Sequence, residues 1–207
     1  MDQLERFRGS LLGLAVEDAL GTTLKFRPPG IFIPITDRIG GGPFDLEPGE
    51  WTDDTSMALC LAESLIERKE FGPIDQLERY VQWWRHGHLS STNRCFDIGF
   101  TVEDTRARFE RSREPYGGSA DPWSAGNGSI MRLAPVPLFY ARHPVEAIEK
   151  SGQSSPALQG VQMGSAPLPG ALGCPSEITS FFRFLLGRED SAPWIIESPS
   201  QLSTLTR

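Results

Sequence analysis

Cysteine is scarce. Cys60, Cys95 and Cys174 are the three in 207 residues, widely spaced and with no CxxC pair. That excludes a disulfide-stapled scaffold and a cysteine-ligated zinc ribbon, and reads as reduced thiols of a cytosolic protein. Histidine is equally sparse, with three residues. His86-Gly87-His88, two imidazoles about a glycine with no acid beside them, reads as a helix end rather than a metal pair. Basic residues are outnumbered, 20 Lys and Arg against 27 Asp and Glu, for a net charge of −7. Such a chain lacks the basic footprint that nucleic acid requires. No apolar run reaches transmembrane length, and Met1-Asp2-Gln3 does not open a secretory signal. The expectation is a cytoplasmic protein with neither a membrane nor a nucleic-acid partner. Strand alternation and internal repeats are missing as well. The glycine triplet Gly40-Gly41-Gly42 is followed by no GxGxxG or GK[ST], so it is not a phosphate-binding fingerprint.

Helical periodicity is what remains, and the fold class it predicts is all-α. Residues 4–16 carry an apolar stripe of Leu4, Phe7, Leu11, Leu14 and Ala15. Gly9 and Gly13 within that stretch suggest close approach of another backbone, since each costs roughly 1 kcal/mol against alanine. Asp18 follows near the helix end, where an acid opposes the helix dipole. It is either a solvated side chain or an acid held beside a site. Residues 22–50 read as a long loop, a length that in a compact domain is usually functional. Residues 74–86 form an amphipathic helix with Ile74, Leu77, Val81 and Trp84 on one side. Pro144 opens a further helix through Lys150.

The loop delivers the chain to Trp51-Thr52-Asp53-Asp54-Thr55, and a helix with Met57, Ala58, Leu61, Ala62, Leu65 and Ile66 on its apolar face follows. The polar run therefore sits at the N-terminus of a buried helix. Asp53 or Asp54 alone would serve as a cap. Two adjacent carboxylates and a hydroxyl exceed what capping needs, and suit a hard divalent cation. Asp97, in Cys95-Phe96-Asp97-Ile98-Gly99, precedes a helical stretch and is placed either to cap it or to hold a water or a sugar hydroxyl. Gly126-Asn127-Gly128-Ser129 opens an apolar helix and reads either as a backbone anion site or as a turn with a cap.

Taken in order, these motifs resemble the ADP-ribosylglycohydrolase family, which includes the dinitrogenase-reductase-activating glycohydrolases. The segments that carry the resemblance are Gly13 to Gly21, Gly40 to Phe44 with Pro48 to Leu61, Cys95 to Thr101, and Gly126 to Pro135. The resemblance implies an orthogonal helical bundle with two divalent metals, Mg²⁺ or Mn²⁺, at its centre. It also implies hydrolysis of the glycosidic bond between ADP-ribose and a modified side chain. Thr52, Asp53 and Asp54 fall on metal ligands, Asp54 and Asp97 on catalytic acids. Asp18, Gly99, Gly126, Asn127, Gly128 and Ser129 fall on substrate contacts. The implied partner is an ADP-ribosylated protein or a small molecule containing ADP-ribose.

The chain departs from the family pattern at four places. Glu17 stands where glycine is common, and Lys25 stands where many members carry a glutamate. Ser154 to Gly160 lacks the family's histidine, and no DxDT segment follows near the C-terminus, so half of the family's metal cage is missing and one metal or none is expected here. Charge also thins sharply after Gly152. The expectation is an N-terminal part of the family's domain over 1–155, C-terminally incomplete. A Ser/Pro-rich tail over 156–207 follows, with one amphipathic helix near 176–187, as an unrelated or frame-shifted ending of a truncated product. On that reading the alternative to a metal-dependent hydrolase is an inactive remnant that at most binds ADP-ribose weakly.

Overall fold

The structure is a computed structural model and describes residues 2–28, 30–117 and 127–154. Six helices make up the described part: α1 (Gln3–Gly21), α2 (Asp53–Arg68), α3 (Pro73–His86), α4 (Phe100–Ser112), α5 (Pro135–Phe139) and α6 (Pro144–Ser154). Among the described residues there is no β-strand, and an isolated bridge between Gly41 and Leu46 is the extended pairing found. The all-α expectation holds. Gly126 and the helix expected near 176–187 lie outside the described residues.

Helix α2 is the axis of the arrangement. Its residues Met57 and Cys60 join Leu77, Tyr80 and Trp83 of α3 and Val102 and Phe109 of α4 in one buried cluster. Leu61 and Leu65 join Leu133, Val136 and Tyr140, around α5, and Ala147 of α6 in a second. Both ends of α2 obey local rules. Asp53 and Asp54 sit in its first turn and Arg68 in its last, each favourable to the dipole. The chain then leaves through Lys69 in the left-handed region, φ 60°. Helix α3 begins with Pro73 at its first position and stops at Gly87, φ 67°. A Cβ on Gly87 would lie 2.1 Å from the carbonyl carbon of Asn93, so the glycine answers both a conformation and a close crossing.

The buried faces differ from the expected stripes. On α3 they are Gln76, Leu77, Tyr80 and Trp83, while Ile74 is 47% exposed. The reason is polar: Gln76 Nε2 donates to Tyr80 Oη at 2.8 Å and reaches Ser154 Oγ at 3.4 Å. The amide nitrogen thereby finds partners in the core, while Oε1 has none among the described residues. On α2, Ile66 is exposed and Ser64 is buried in its stead. Helix α1 stops at Gly21, where Asp18-Ala19-Leu20-Gly21 predicts its end, and buries Ala19 alone, with Leu4 and Leu12 exposed. Among the described residues nothing lies within 4 Å of a Cβ built on Gly9 or Gly13, so the expected backbone approach is not found there.

The 22–50 loop is less irregular than its sequence suggests. It opens with a 3₁₀ turn, Thr22–Leu24, and a second, Gly42–Phe44, is closed by reciprocal bonds between Gly41 and Leu46 of 2.7 and 3.1 Å. Gly40 and Gly42 have φ near 70°. A Cβ on Gly40 would meet Leu46 O at 2.3 Å, and one on Gly42 would meet Thr22 O at 2.7 Å. Packing of backbone on backbone is therefore what the triplet serves.

Helix α3 is tied to α2 by charge as well as by the core. Arg79 binds Asp75 at 2.8 Å, Glu67 at 2.7 Å and Glu63, and His88 Nε2 donates to Glu63 at 2.7 Å. Burial alone would raise the Glu63 carboxyl, but hydrogen bonds from His88 and Arg79 outweigh it and hold the group below its ordinary value. For Asp75, burial is likewise outweighed by bonds from Arg79 and Ser64. Carboxyls depressed in the folded state contribute stability above their unfolded pKa of about 4 and lose it as pH falls through the folded values. Melting temperature is therefore expected to drop between pH 5 and 3, and the drop to shrink in Glu63→Gln and Asp75→Asn. Thermal melts across that range check this, and an unchanged acid limb in both variants would count against the network.

Candidate functional site

The site is built where α1, the 22–50 loop, the start of α2 and the segment before α4 converge. Asp18, near the end of α1, points both carboxylate oxygens at the first turn of α2. Its Oδ2 accepts from the Thr52 and Thr55 N–H groups at 3.0 and 3.1 Å. The hydroxyls of Thr52 and Thr55 donate to Oδ1 and Oδ2 at 2.6 and 2.7 Å. Asp18 is thus the cap of α2, supplied from another helix. Thr52 occupies the N-cap position and makes no side-chain cap bond of its own. This settles the ambiguity of the Thr52-Asp53-Asp54 run: neither aspartate is needed to cap the helix. It also explains an acid near the C-terminus of α1, since the N–H groups of α2 offset the unfavourable local dipole.

With Asp18 bonded to Thr52 and Thr55, the carboxyls of Asp53 and Asp54 are not required as caps. Asp53 is 6% exposed, and its Oδ1 is buried with no hydrogen-bond partner among the described residues. Burial first, then the charges of Asp54, Asp97 and Asp18, push its carboxyl up to about 8, with Lys25 acting in the opposite direction. Burial and Asp18 raise Asp54 as well, and Lys25 again opposes. Four aspartates therefore share one electrostatic neighbourhood. Cys95 borders it: burial, reinforced by the Asp53 charge, pushes that thiol up to about 12, which makes it an unreactive thiol.

Asp97 does not cap α4, whose N-cap is Gly99. It stands two residues earlier at φ 61°, a left-handed conformation that aspartate tolerates better than most residues. Its side chain is 8% exposed and forms an ion pair with Lys25. Gly99 itself is exposed at the head of α4.

The segment 127–134 is not the apolar helix expected from its sequence. Asn127–Ser129 is a 3₁₀ turn, and α5 begins only at Pro135, because Pro135 and Pro137 confine regular helix to the residues around them. Of the two readings for this motif, the anion site at a helix N-terminus has no helix directly behind it, and Asn127–Ser129 is a turn. Asn127 is exposed while Gly128 and Ser129 are buried. Arg132, fully buried, fixes the turn by donating from Nη1 to the Gly128 carbonyl and from Nη2 to the Ser154 carbonyl at 3.0 Å. Sequence reading missed Arg132. Its signal was a lone cation within the apolar run Ile130-Met131-Arg132-Leu133-Ala134.

A sequence model of the ADP-ribosylglycohydrolase family matches residues 1–164. The chain belongs to that family. It is 46% identical over 138 residues to an ADP-ribosylarginine hydrolase, Tri1, of Serratia proteamaculans, covering 67% of this chain and 37% of the relative. It is 34% identical over 149 residues to the ADP-ribosyl-[dinitrogen reductase] glycohydrolase of Rhodospirillum rubrum, covering 69% and 47%. A solved structure titled ADP-ribosylglycohydrolase-related protein complex superposes with a TM-score of 0.66 at 40% identity, over 77% of this chain and 50% of that one. The chain thus spans at most about half the length of these relatives. Among the described residues no helix is long and apolar enough to cross a membrane.

Family membership directs attention to a divalent metal, and the donor set tests the fit. The unpartnered Asp53 Oδ1 is an available oxygen. Against it, both oxygens of Asp18 are taken by α2, and Asp97 is taken by an ammonium. Among the described residues no group of three or more His, Cys, Asp or Glu side chains is placed to hold a metal ion. The described residues do not fit the family's two-metal centre, in which Thr52, Asp53 and Asp54 would be the first ligands.

Proposed function

We propose that this chain recognises ADP-ribose joined to an arginine side chain, and that its acid cluster carries out hydrolysis of the glycosidic bond. The observation that supports this is the convergence of Asp53, Asp54 and Asp97 from two separate segments, with the helix start that bears two of them held by Asp18. Similarity to ADP-ribosylarginine hydrolases from Serratia proteamaculans and Pseudomonas putida points to arginine as the acceptor.

The chemistry asks for negative charge beside a carbon that becomes positive. As the bond from the ribose anomeric carbon to the guanidine nitrogen breaks, the sugar acquires oxocarbenium character. Carboxylates at Asp54 and Asp97 stabilise that charge and orient the attacking water. The water oxygen bonds to the anomeric carbon, and its proton passes to the departing nitrogen, which leaves ADP-ribose and arginine. On this reading the turn at Gly128 and Ser129, fixed by Arg132, contacts the rest of the nucleotide.

An ADP-ribosylated arginine peptide incubated with the chain is expected to release ADP-ribose. Asp54→Asn and Asp97→Asn should each slow the release by ~100-fold, the usual scale for removing one positioned acid–base group. Chromatographic quantification of ADP-ribose checks this, and turnover that survives both changes would sink the assignment. The Lys25–Asp97 ion pair favours one second reading, in which the chain binds ADP-ribose without cleaving it. Titration calorimetry showing binding by a chain with no turnover would select that reading.

A further inference from the structure

Lys25 has no part in the reaction as proposed, yet it is held firmly against the acids. It follows the Thr22–Leu24 turn directly. Its ammonium pairs with Asp97 Oδ2 and lies 5.7 Å from the Phe26 ring centroid and 5.8 Å from that of Phe44. Phe44 is in turn seated edge-on against Phe96 at 5.3 Å. The same charge acts on Asp53 and Asp54 at the start of α2.

We infer that the Lys25 ammonium takes the place of a divalent cation in the Asp53, Asp54 and Asp97 cluster, so that the cluster is neutralised from within the chain. The inference rests on reading this cluster as the hydrolase centre. Aspartates gathered this closely favour a counter-charge, and a divalent ion brought to Asp97 would meet an ammonium already bound to it and be repelled. The surroundings of the nitrogen are those of an organic cation. Two aromatic rings within 6 Å of it favour an ammonium and offer no oxygen to a hard metal ion. A lysine has three donors and a flexible stem, which lets one residue serve several carboxylate oxygens.

The test is Mn²⁺ binding to the full chain, followed by electron paramagnetic resonance and calorimetry without substrate. Wild type and Lys25→Arg are expected to bind Mn²⁺ weakly. Lys25→Met, which keeps an apolar stem against Phe26 and Phe44, should bind at least about tenfold more tightly, and Lys25→Glu more tightly still. Asp53→Asn added to Lys25→Glu should abolish the gain. Wild type binding Mn²⁺ as tightly as Lys25→Glu overturns the inference, and so does the absence of binding in every variant. Should the Met and Glu variants be unfolded in EDTA, Mn²⁺ is expected to restore their helical circular dichroism, and failure to do so overturns it equally. Wild-type ADP-ribose binding, measured separately, reports on the proposed function. A failure there with the Mn²⁺ pattern intact removes that function and leaves the cation exchange standing.

Discussion

Asp18→Ala is expected to destabilise the chain by about 3 kcal/mol and to lower its melting temperature by ~10 °C. The carboxylate accepts four hydrogen bonds from Thr52 and Thr55, two from backbone and two from hydroxyls. Thr52 and Thr55 are both buried, so water does not readily replace the lost acceptor. Bonds to a charged group contribute roughly 1.5–3 kcal/mol each, and loss of a helix cap costs about 1 kcal/mol. The four share one carboxylate and do not add, which sets about 3 kcal/mol for the whole. At a cost of ~2–4 °C per kcal/mol for a chain of this size, the temperature shift follows. One effect works the other way: removing Asp18 relieves repulsion on Asp54 and Asp53. Asp18→Asn separates the two. It removes the same charge yet keeps one acceptor oxygen, so it should lose less than half as much. Thermal melts of both variants decide the matter, and an alanine variant within 1 kcal/mol of wild type would show that α2 does not depend on this cap.

Arg132→Ala is expected to cost about 4 kcal/mol. The side chain is fully buried. It joins the Asn127–Ser129 turn to the end of α6 through the Gly128 and Ser154 carbonyls, and its guanidinium carbon lies 5.5 Å from the Tyr80 ring centroid. Truncation leaves two buried carbonyls without that donor and a cavity the size of the lost side chain, costs of roughly 1–3 and 2–5 kcal/mol respectively before relaxation. A contrary effect operates here too. Burial holds the guanidinium below its ordinary pKa, with Tyr80 acting to raise it, and buried ions are often replaced by apolar groups at little loss. Arg132→Met tests which effect dominates. Methionine fills most of the volume but donates nothing. If hydrogen bonding to the turn is the larger part, Arg132→Met stays within about 1 kcal/mol of Arg132→Ala and amide exchange quickens at Asn127 to Met131. If volume dominates, methionine restores most of the stability and exchange there is unchanged. Urea denaturation with hydrogen exchange measures both.

How far the chain could be read before folding depends on what kind of interaction was being read. Helix α2 was legible because its apolar spacing, its acidic first turn and its basic last turn are local, and each agrees with the others. The glycines of the 40–42 triplet were legible as special, but their partners, Leu46 and Thr22, were not. Helix α3 was found, and its buried face was misplaced. Hydropathy counts Gln76 as polar, and only its bonds to Tyr80 and Ser154 show why it lies inside.

By itself the sequence determined an all-helical chain with no strand alternation, and a run of oxygen-bearing side chains at the head of its central helix. It also placed the four ordered motifs that mark the family. Those are properties of neighbours along the chain, and helices form from neighbours. The tertiary structure alone decided what each acid does. Asp18 reaches Thr52 across 34 positions and becomes a cap. Lys25 reaches Asp97 across 72 and makes an expected catalytic acid half of an ion pair. A charge acts on whatever the fold brings within a few ångströms of it, and that distance is set by the loops and packing between the two residues.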